Sequence, residues 1–141
     1  MTVARVLLEK SGSVQALSPE ASVLEAIGVM AEHHLGSVLV MRDQQLLGIL
    51  TERDYARKVI LQGRSSANTA VADIMSSPVI TVTSSDSINH CMAVMTERRI
   101  RHLPVLEGEK VIGLVSIGDC VRAVIAEQAR EIDQLQRYIA G

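Results

Sequence analysis

One heptapeptide pattern occurs twice in this chain, and that repetition restricts the fold more than any other feature. Gly48-Ile49-Leu50-Thr51-Glu52-Arg53-Asp54 and Gly113-Leu114-Val115-Ser116-Ile117-Gly118-Asp119 share a glycine, two aliphatics, a hydroxyl residue, two variable positions and an aspartate. Corresponding residues lie 65 positions apart. Residues 14–54 slide onto 79–119 without a gap, and eight of the 41 aligned pairs are identical, Gly48/Gly113 and Asp54/Asp119 among them. Most other pairs keep their apolar or polar character, as Ile49/Leu114 and Leu46/Val111 do. An internal duplication explains this most economically, so the fold must be built from two like units.

Each copy predicts the same elements. Val14–Leu17 reads as a short strand, Ser18–Ala21 as a turn, and Ser22-Val23-Leu24-Glu25 as a capping box opening a helix. That helix carries Val23, Ile27 and Met30 on one face and loses its period at His33-His34-Leu35-Gly36. Strands Val38–Met41 and Leu46–Leu50 follow around a polar turn, and a second helix runs from Thr51 to about Leu61. Val71–Met75 predicts a helical turn before the second copy begins.

The expected fold class is α/β (α+β), with tandem βαββα repeats packed about a pseudo-two-fold axis that leaves two equivalent clefts. The expected divisions are a helical arm over 1–12, repeat one over 13–62, a linker over 63–77, repeat two over 78–127 and a C-terminal helix extension over 128–141. In the last helix Val121, Ile125, Gln128, Ile132, Leu135 and Ile139 recur at alternating spacings of four and three, the seam of a coiled coil. A partner helix from a second copy is the expected cover.

Composition excludes several functions. The 141 residues suffice for one compact body, and 48% of them are apolar. Aromatics make up 1%, Tyr55 and Tyr138, so stacking platforms for single-stranded nucleic acid are missing. A net charge of −2 argues against a bulk electrostatic grip on nucleic acid. Cys91 and Cys120 are too few for a disulfide scaffold and predict reduced thiols in a cytoplasmic setting. No apolar run has membrane-spanning length, and Met1–Arg5 does not open a signal peptide. His33-His34, His90 and Cys91 lack ligand-spaced partners, so no metal site is expected. Nor is an enzyme: the motif offers a carboxylate and a hydroxyl, without a base held by a third group.

The repeated motif supports two readings. Thr51-x-x-Asp54 and Ser116-x-x-Asp119 fit a structural cap. Yet a cap does not require the glycine three residues earlier, which in a buried strand admits a close backbone or a ligand. A helix start offers unpaired N–H groups to a phosphate, and a carboxylate one turn on can grip the hydroxyls of a ribose. Together these parts describe a nucleotide site. Arg53, Arg57 and Lys58 read as a solvated helix face.

Two βαββα units, each with this motif, resemble a cystathionine-β-synthase-type (CBS) domain pair, or Bateman module, over about residues 14–127. The resemblance implies an adenosyl ligand, AMP, ADP, ATP, NAD or S-adenosylmethionine, in clefts between the repeats. It gives Asp54 and Asp119 to the ribose, and Thr51 and Ser116 to ribose or phosphate. It lays the base against Ala16, Leu17, Ser37 and Val38 in repeat one and Thr81, Val82, Leu103 and Pro104 in repeat two. Arg101-His102 match a basic pair that contacts the phosphate of AMP, whereas Gly36-Ser37 do not, so the Asp119 cleft is expected to take a phosphorylated nucleotide. The implied function is a regulatory sensor that signals in trans to a partner protein and assembles as a homodimer. The alternative is a ligand-independent dimerisation module with vestigial clefts.

Overall fold

The structure, a computed structural model, describes residues 1–10 and 14–141. The expected end of the arm at Ser11-Gly12 and its border with repeat one lie outside the described residues. The chain divides into two compact units, one of Ser13–Ile80 with Gly108–Val111, the other of Met1–Gly12, Thr81–Glu107 and Ile112–Gly141.

In the first unit β1 (Ala16–Leu17) lies parallel to β2 (Ser37–Arg42), which pairs antiparallel with β3 (Gln45–Thr51). Helix α1 (Val3–Glu9) belongs to the other unit; α2 (Val23–His33) packs Val23, Ala26 and Met30 against Val38, Val40 and Leu50. Val59, Val71 and Ile74 complete this aliphatic core. Four successive residues of β2, Ser37 to Val40, are buried, the pattern of a strand covered on both faces. The second helix ends about where its periodicity suggests, but its latter half is wound wider than an α-helix. Regular α3 covers Glu52–Tyr55 and a π turn continues over Ala56–Ile60, closed by the Leu61 N–H donating to the Ala56 carbonyl.

The second unit repeats the plan with β4 (Val82–Thr83), α4 (Ile88–Arg98), β5 (His102–Glu107), β6 (Lys110–Ser116) and α5 (Ile117–Ala140), its sheet ordered β4-β5-β6. Its core includes Val82, Ile88, Cys91, Met95, Leu103, Val105, Val115 and Cys120. The duplication extends to detail. His34 and Arg99, 65 residues apart, both end their helix in the left-handed conformation, with φ of 55° and 56°. Helix α1 docks here through Val3 and Val6, while the N–H groups of Val3 and Ala4 donate to the carbonyls of Asp86 and Ser84, both at 2.9 Å. The predicted α/β repeats, the strand pair and the long last helix therefore all form, with β1 narrowed to two residues. No described helix is long and apolar enough to cross a membrane.

Candidate functional site

In each repeat a strand runs into a helix through a hydroxyl residue, and the cap it forms is reciprocal. The Asp119 N–H donates to Ser116 Oγ at 3.2 Å, and the Ser116 N–H donates to the Asp119 carboxylate at 2.9 Å. Asp54 and Thr51 make the same exchange at 3.1 Å in each direction, with the Thr51 hydroxyl also donating to the carboxylate. The structural half of the sequence reading is thus present twice.

The helix starts differ from expectation in one respect. The first amide of each helix is already used: the Glu52 N–H donates to the Gly36 carbonyl at 3.1 Å and the Ile117 N–H to the Arg101 carbonyl at 2.9 Å. The third is used by the cap. The helix starts therefore do not offer a set of unpaired amides.

Both carboxylates are buried, each 6% exposed, and both are ion-paired. Asp119 receives Lys10 Nζ at 2.9 Å and the Arg122 guanidinium at 2.7 Å. Burial pushes its carboxyl upward, but hydrogen bonds from Lys10 and Ser116 and the Lys10 charge override this and hold it below the ordinary aspartate value. The Asp119 site is therefore a carboxylate at neutral pH. His102, half-buried beside it, is pushed the other way: burial first, then the positive charges of Lys10 and Arg101, lower its pKa against the attraction of Asp119. The imidazole is accordingly neutral at pH 7.

Asp54 instead receives the Ser76 hydroxyl at 3.0 Å and Lys58 Nζ at 3.1 Å. Lys58 is not only the solvated face read from the sequence: four residues after Asp54, one helical turn on, it reaches back to that carboxylate and to the Ile74 carbonyl, 3.0 Å away. Arg57 is exposed as expected.

The motif glycines are explained by neighbours within each unit. A Cβ on Gly48 would stand 2.8 Å from Met75 Cγ and 3.1 Å from the Ser76 carbonyl, and one on Gly113 would stand 2.7 Å from Leu7 Cδ2. The segment after its helices fills the space in repeat one and α1 fills it in repeat two, so the close approach is made by the chain itself.

The remaining expected residues fall in three groups. Val38, Val82, Leu103 and Pro104 are buried, so their accessible chemistry is limited. Leu17 and His102 are half-buried, while Ala16, Thr81 and Arg101 are exposed. Ser37 is buried and stands opposite Thr51 across β2 and β3, and its hydroxyl has no hydrogen-bond partner among the described residues. A buried hydroxyl left so is costly unless something else completes it. Sequence reasoning missed Lys10, Ser76 and Arg122. Lys10 and Ser76 come from remote segments and leave no local signal; Arg122, three residues after Asp119, had helical spacing to reveal it. Cys91 and Cys120 are buried, the first thiol pushed up to about 11 by burial, the second also raised. Neither is a thiolate at neutral pH.

The family model for the CBS domain matches residues 10–60 and again 71–126. The chain is a CBS domain pair, a regulatory module. A CBS domain-containing protein of Arabidopsis thaliana, named CBSX3 and mitochondrial, is 46% identical over 125 residues, covering 85% of this chain and 61% of that protein. A solved protein with CBS domains from Burkholderia ambifaria is 50% identical with a TM-score of 0.88, over 91% of this chain and 96% of that one. The CBS domain pair of protein MJ0100, solved in complex with 5′-methylthioadenosine and S-adenosyl-L-methionine, shares the fold at 23% identity and a TM-score of 0.80, over 90% and 98% of the two chains. The chain thus spans about three fifths of its Arabidopsis relative.

Proposed function

We propose that this CBS domain pair is a sensor of an adenosyl ligand, AMP foremost, and that repeat two holds it. In this reading Asp119 accepts the ribose hydroxyls, Ser116 donates to ribose or phosphate, and Arg101 and His102 meet the phosphate. Thr81, Val82, Leu103 and Pro104 border the base. The observation that carries the reading is a buried, ionised Asp119 whose partners are exchangeable cations, Lys10 and Arg122, the latter 73% exposed. A carboxylate held that way can trade a lysine for a sugar diol with little loss of hydrogen bonding.

Repeat one carries a parallel, weaker site made of Asp54, Thr51, Ser37, Val38, Ala16 and Leu17. Its support is the orphaned Ser37 hydroxyl beside Thr51. With neither an arginine nor a histidine at positions 36 and 37, it suits an adenosyl compound of lower negative charge, such as S-adenosylmethionine. The module acts in the cytoplasm as a homodimer and passes the bound state to a partner protein in trans. That signal requires the partner to distinguish the two states by affinity.

A second reading has a specific observation in its favour: both carboxylates are already paired inside the chain. A vestigial, purely structural pair of caps would look the same. Thermal-shift measurements with AMP, ATP, NAD and S-adenosylmethionine separate the two. A bound ligand at a hundredfold excess over its dissociation constant stabilises the fold by about 2.7 kcal/mol. No shift with any of the four would leave only the structural reading.

A further inference from the structure

Helix α1 is held differently at its two ends. At its start the hold is core and backbone: Val3 and Val6 are buried, and the Val3 and Ala4 N–H groups donate to the Asp86 and Ser84 carbonyls. At its end the hold is made by side chains. Leu7 lies on Gly113, and Lys10 Nζ reaches the Asp119 carboxylate at 2.9 Å and the Leu114 carbonyl at 2.7 Å. A helix of seven residues whose N-cap, Thr2, makes no side-chain cap bond is marginal by itself. Its last turn therefore depends on what ties it down.

We infer that Lys10 is a built-in competitor of the ligand of repeat two, and that a ligand occupying Asp119 unlatches the end of α1. This rests on the reading of Asp119 as the ribose acceptor and adds what the ligand has to displace. The argument is one of capacity. A carboxylate oxygen accepts about two hydrogen bonds. Asp119 Oδ2 already takes two, from Lys10 Nζ and the Ser116 N–H, while Oδ1 takes one, from Arg122. A sugar diol that grips both oxygens finds room on Oδ1 and none on Oδ2. One of the two donors on Oδ2 has to leave.

The Ser116 N–H is fixed by the backbone at the start of α5. Lys10 stands on a flexible four-carbon stem with 33% of its side chain exposed, so its ammonium can swing out and be rehydrated. The Leu114 carbonyl, a neutral acceptor, then holds it much less strongly than a buried carboxylate does. Because Asp119 belongs to α5, the same exchange unties α1 from α5. Repeat one lacks this freedom. Ser76, which donates its hydroxyl to Asp54, is locked by backbone hydrogen bonds to Ile49 in both directions. The latch is thus a property of repeat two, and it writes the occupancy of the Asp119 site into the order of the arm.

The test is hydrogen exchange of the full chain, read by mass spectrometry on α1, beside calorimetric titration of adenosine and AMP into the wild type and K10M. Methionine keeps the apolar stem, and circular dichroism with the unfolding transition verifies that K10M folds. Saturating AMP should speed exchange of the Leu7–Lys10 amides by about threefold or more while Val3 and Ala4 stay protected, the reverse of the protection a ligand ordinarily confers. In K10M the same amides should exchange fast without ligand, and AMP should change nothing further. K10M should also bind adenosine about fivefold more tightly than the wild type, the worth of a partly exposed ion pair. Adenosine has no phosphate, so that gain isolates the competition for the ribose. Binding of AMP that leaves the Leu7–Lys10 amides unchanged or slows them, or equal adenosine affinity in the two proteins, would overturn the latch and leave the ribose reading standing. Binding of neither compound to either protein would overturn that reading and the latch with it.

Discussion

Lys10 Nζ donates to the Asp119 carboxylate at 2.9 Å and to the Leu114 carbonyl at 2.7 Å, so one ammonium closes two acceptors of repeat two. The matching acceptors of repeat one, Asp54 and the Ile49 carbonyl, are also closed by one residue, Ser76, through its hydroxyl at 3.0 Å and its N–H at 2.9 Å. The duplicated site thus keeps its acceptors and varies its donor. A neutral hydroxyl serves Asp54, and a cation on the arm serves Asp119. Counting the helix residues too, Asp119 is held by two cations, Lys10 and Arg122, where Asp54 has one, Lys58.

Replacing Lys10 by methionine removes this cation and leaves Asp119 with the solvent-exposed Arg122. Because Lys10 is itself 33% exposed, the pair is discounted for screening, and K10M should cost about 1 kcal/mol in urea unfolding. The rise in Tm on adding AMP should be larger in K10M than in the wild type, since ribose hydroxyls then supply donors that Asp119 lacks. An equal rise would show that Lys10 does not share the ligand's acceptor.

Two groups give the stability a defined pH dependence. The pKa of His102 is lower in the folded chain than its ordinary 6.5, so the unfolded chain takes up this proton first and stability falls as pH drops from 6.5 through the folded value. Asp119 is likewise depressed below 3.8, and its contribution is present above that pH and lost as pH falls through the folded value. The Tm should therefore decline in two stages on acidification. H102Q should remove the first stage and leave the second.

The motif glycines should not accept a methyl group. G113A would drive Leu7 aside and G48A would press on Met75 and on the carbonyl of Ser76, a residue whose N–H and carbonyl each make one hydrogen bond to Ile49. Overpacking of this kind costs about 1–3 kcal/mol. We expect G48A at the upper end, because a carbonyl cannot move away as a leucine tip can. Equilibrium unfolding of the two variants checks the order.

Loss of either cap should be felt as a helix-start defect. T51A and S116A each remove the hydroxyl that accepts from the aspartate N–H, at a cost of about 1 kcal/mol. Unchanged stability in both would contradict the reciprocal caps.

Much of this was legible in the sequence. The 65-residue offset carried the repeat, and hydroxyl-x-x-Asp carried both caps, because these depend on local spacing. The stripe on α5 was legible for the same reason, and the exposure of Ile125 and Leu135 shows that its own unit does not cover it. Contacts that cross the chain were not. Lys10 meets Asp119 across 109 residues, and Ser76 meets Asp54 across 22, so neither has a pattern to betray it. Lys58, four residues after Asp54, had helical spacing to reveal its pairing, as Arg122 had. The glycines looked like room for a ligand, while Met75 and Leu7 occupy that room.

The central claim, that Asp119 holds the sugar of an adenosyl nucleotide, is tested most directly by calorimetric titration of AMP into the wild type and into D119A. Saturable binding to the wild type and at least a hundredfold weaker binding to a folded D119A is the predicted result, a loss of about 2.8 kcal/mol or more. Equal affinity in the two proteins, or no heat of binding in either, would contradict it.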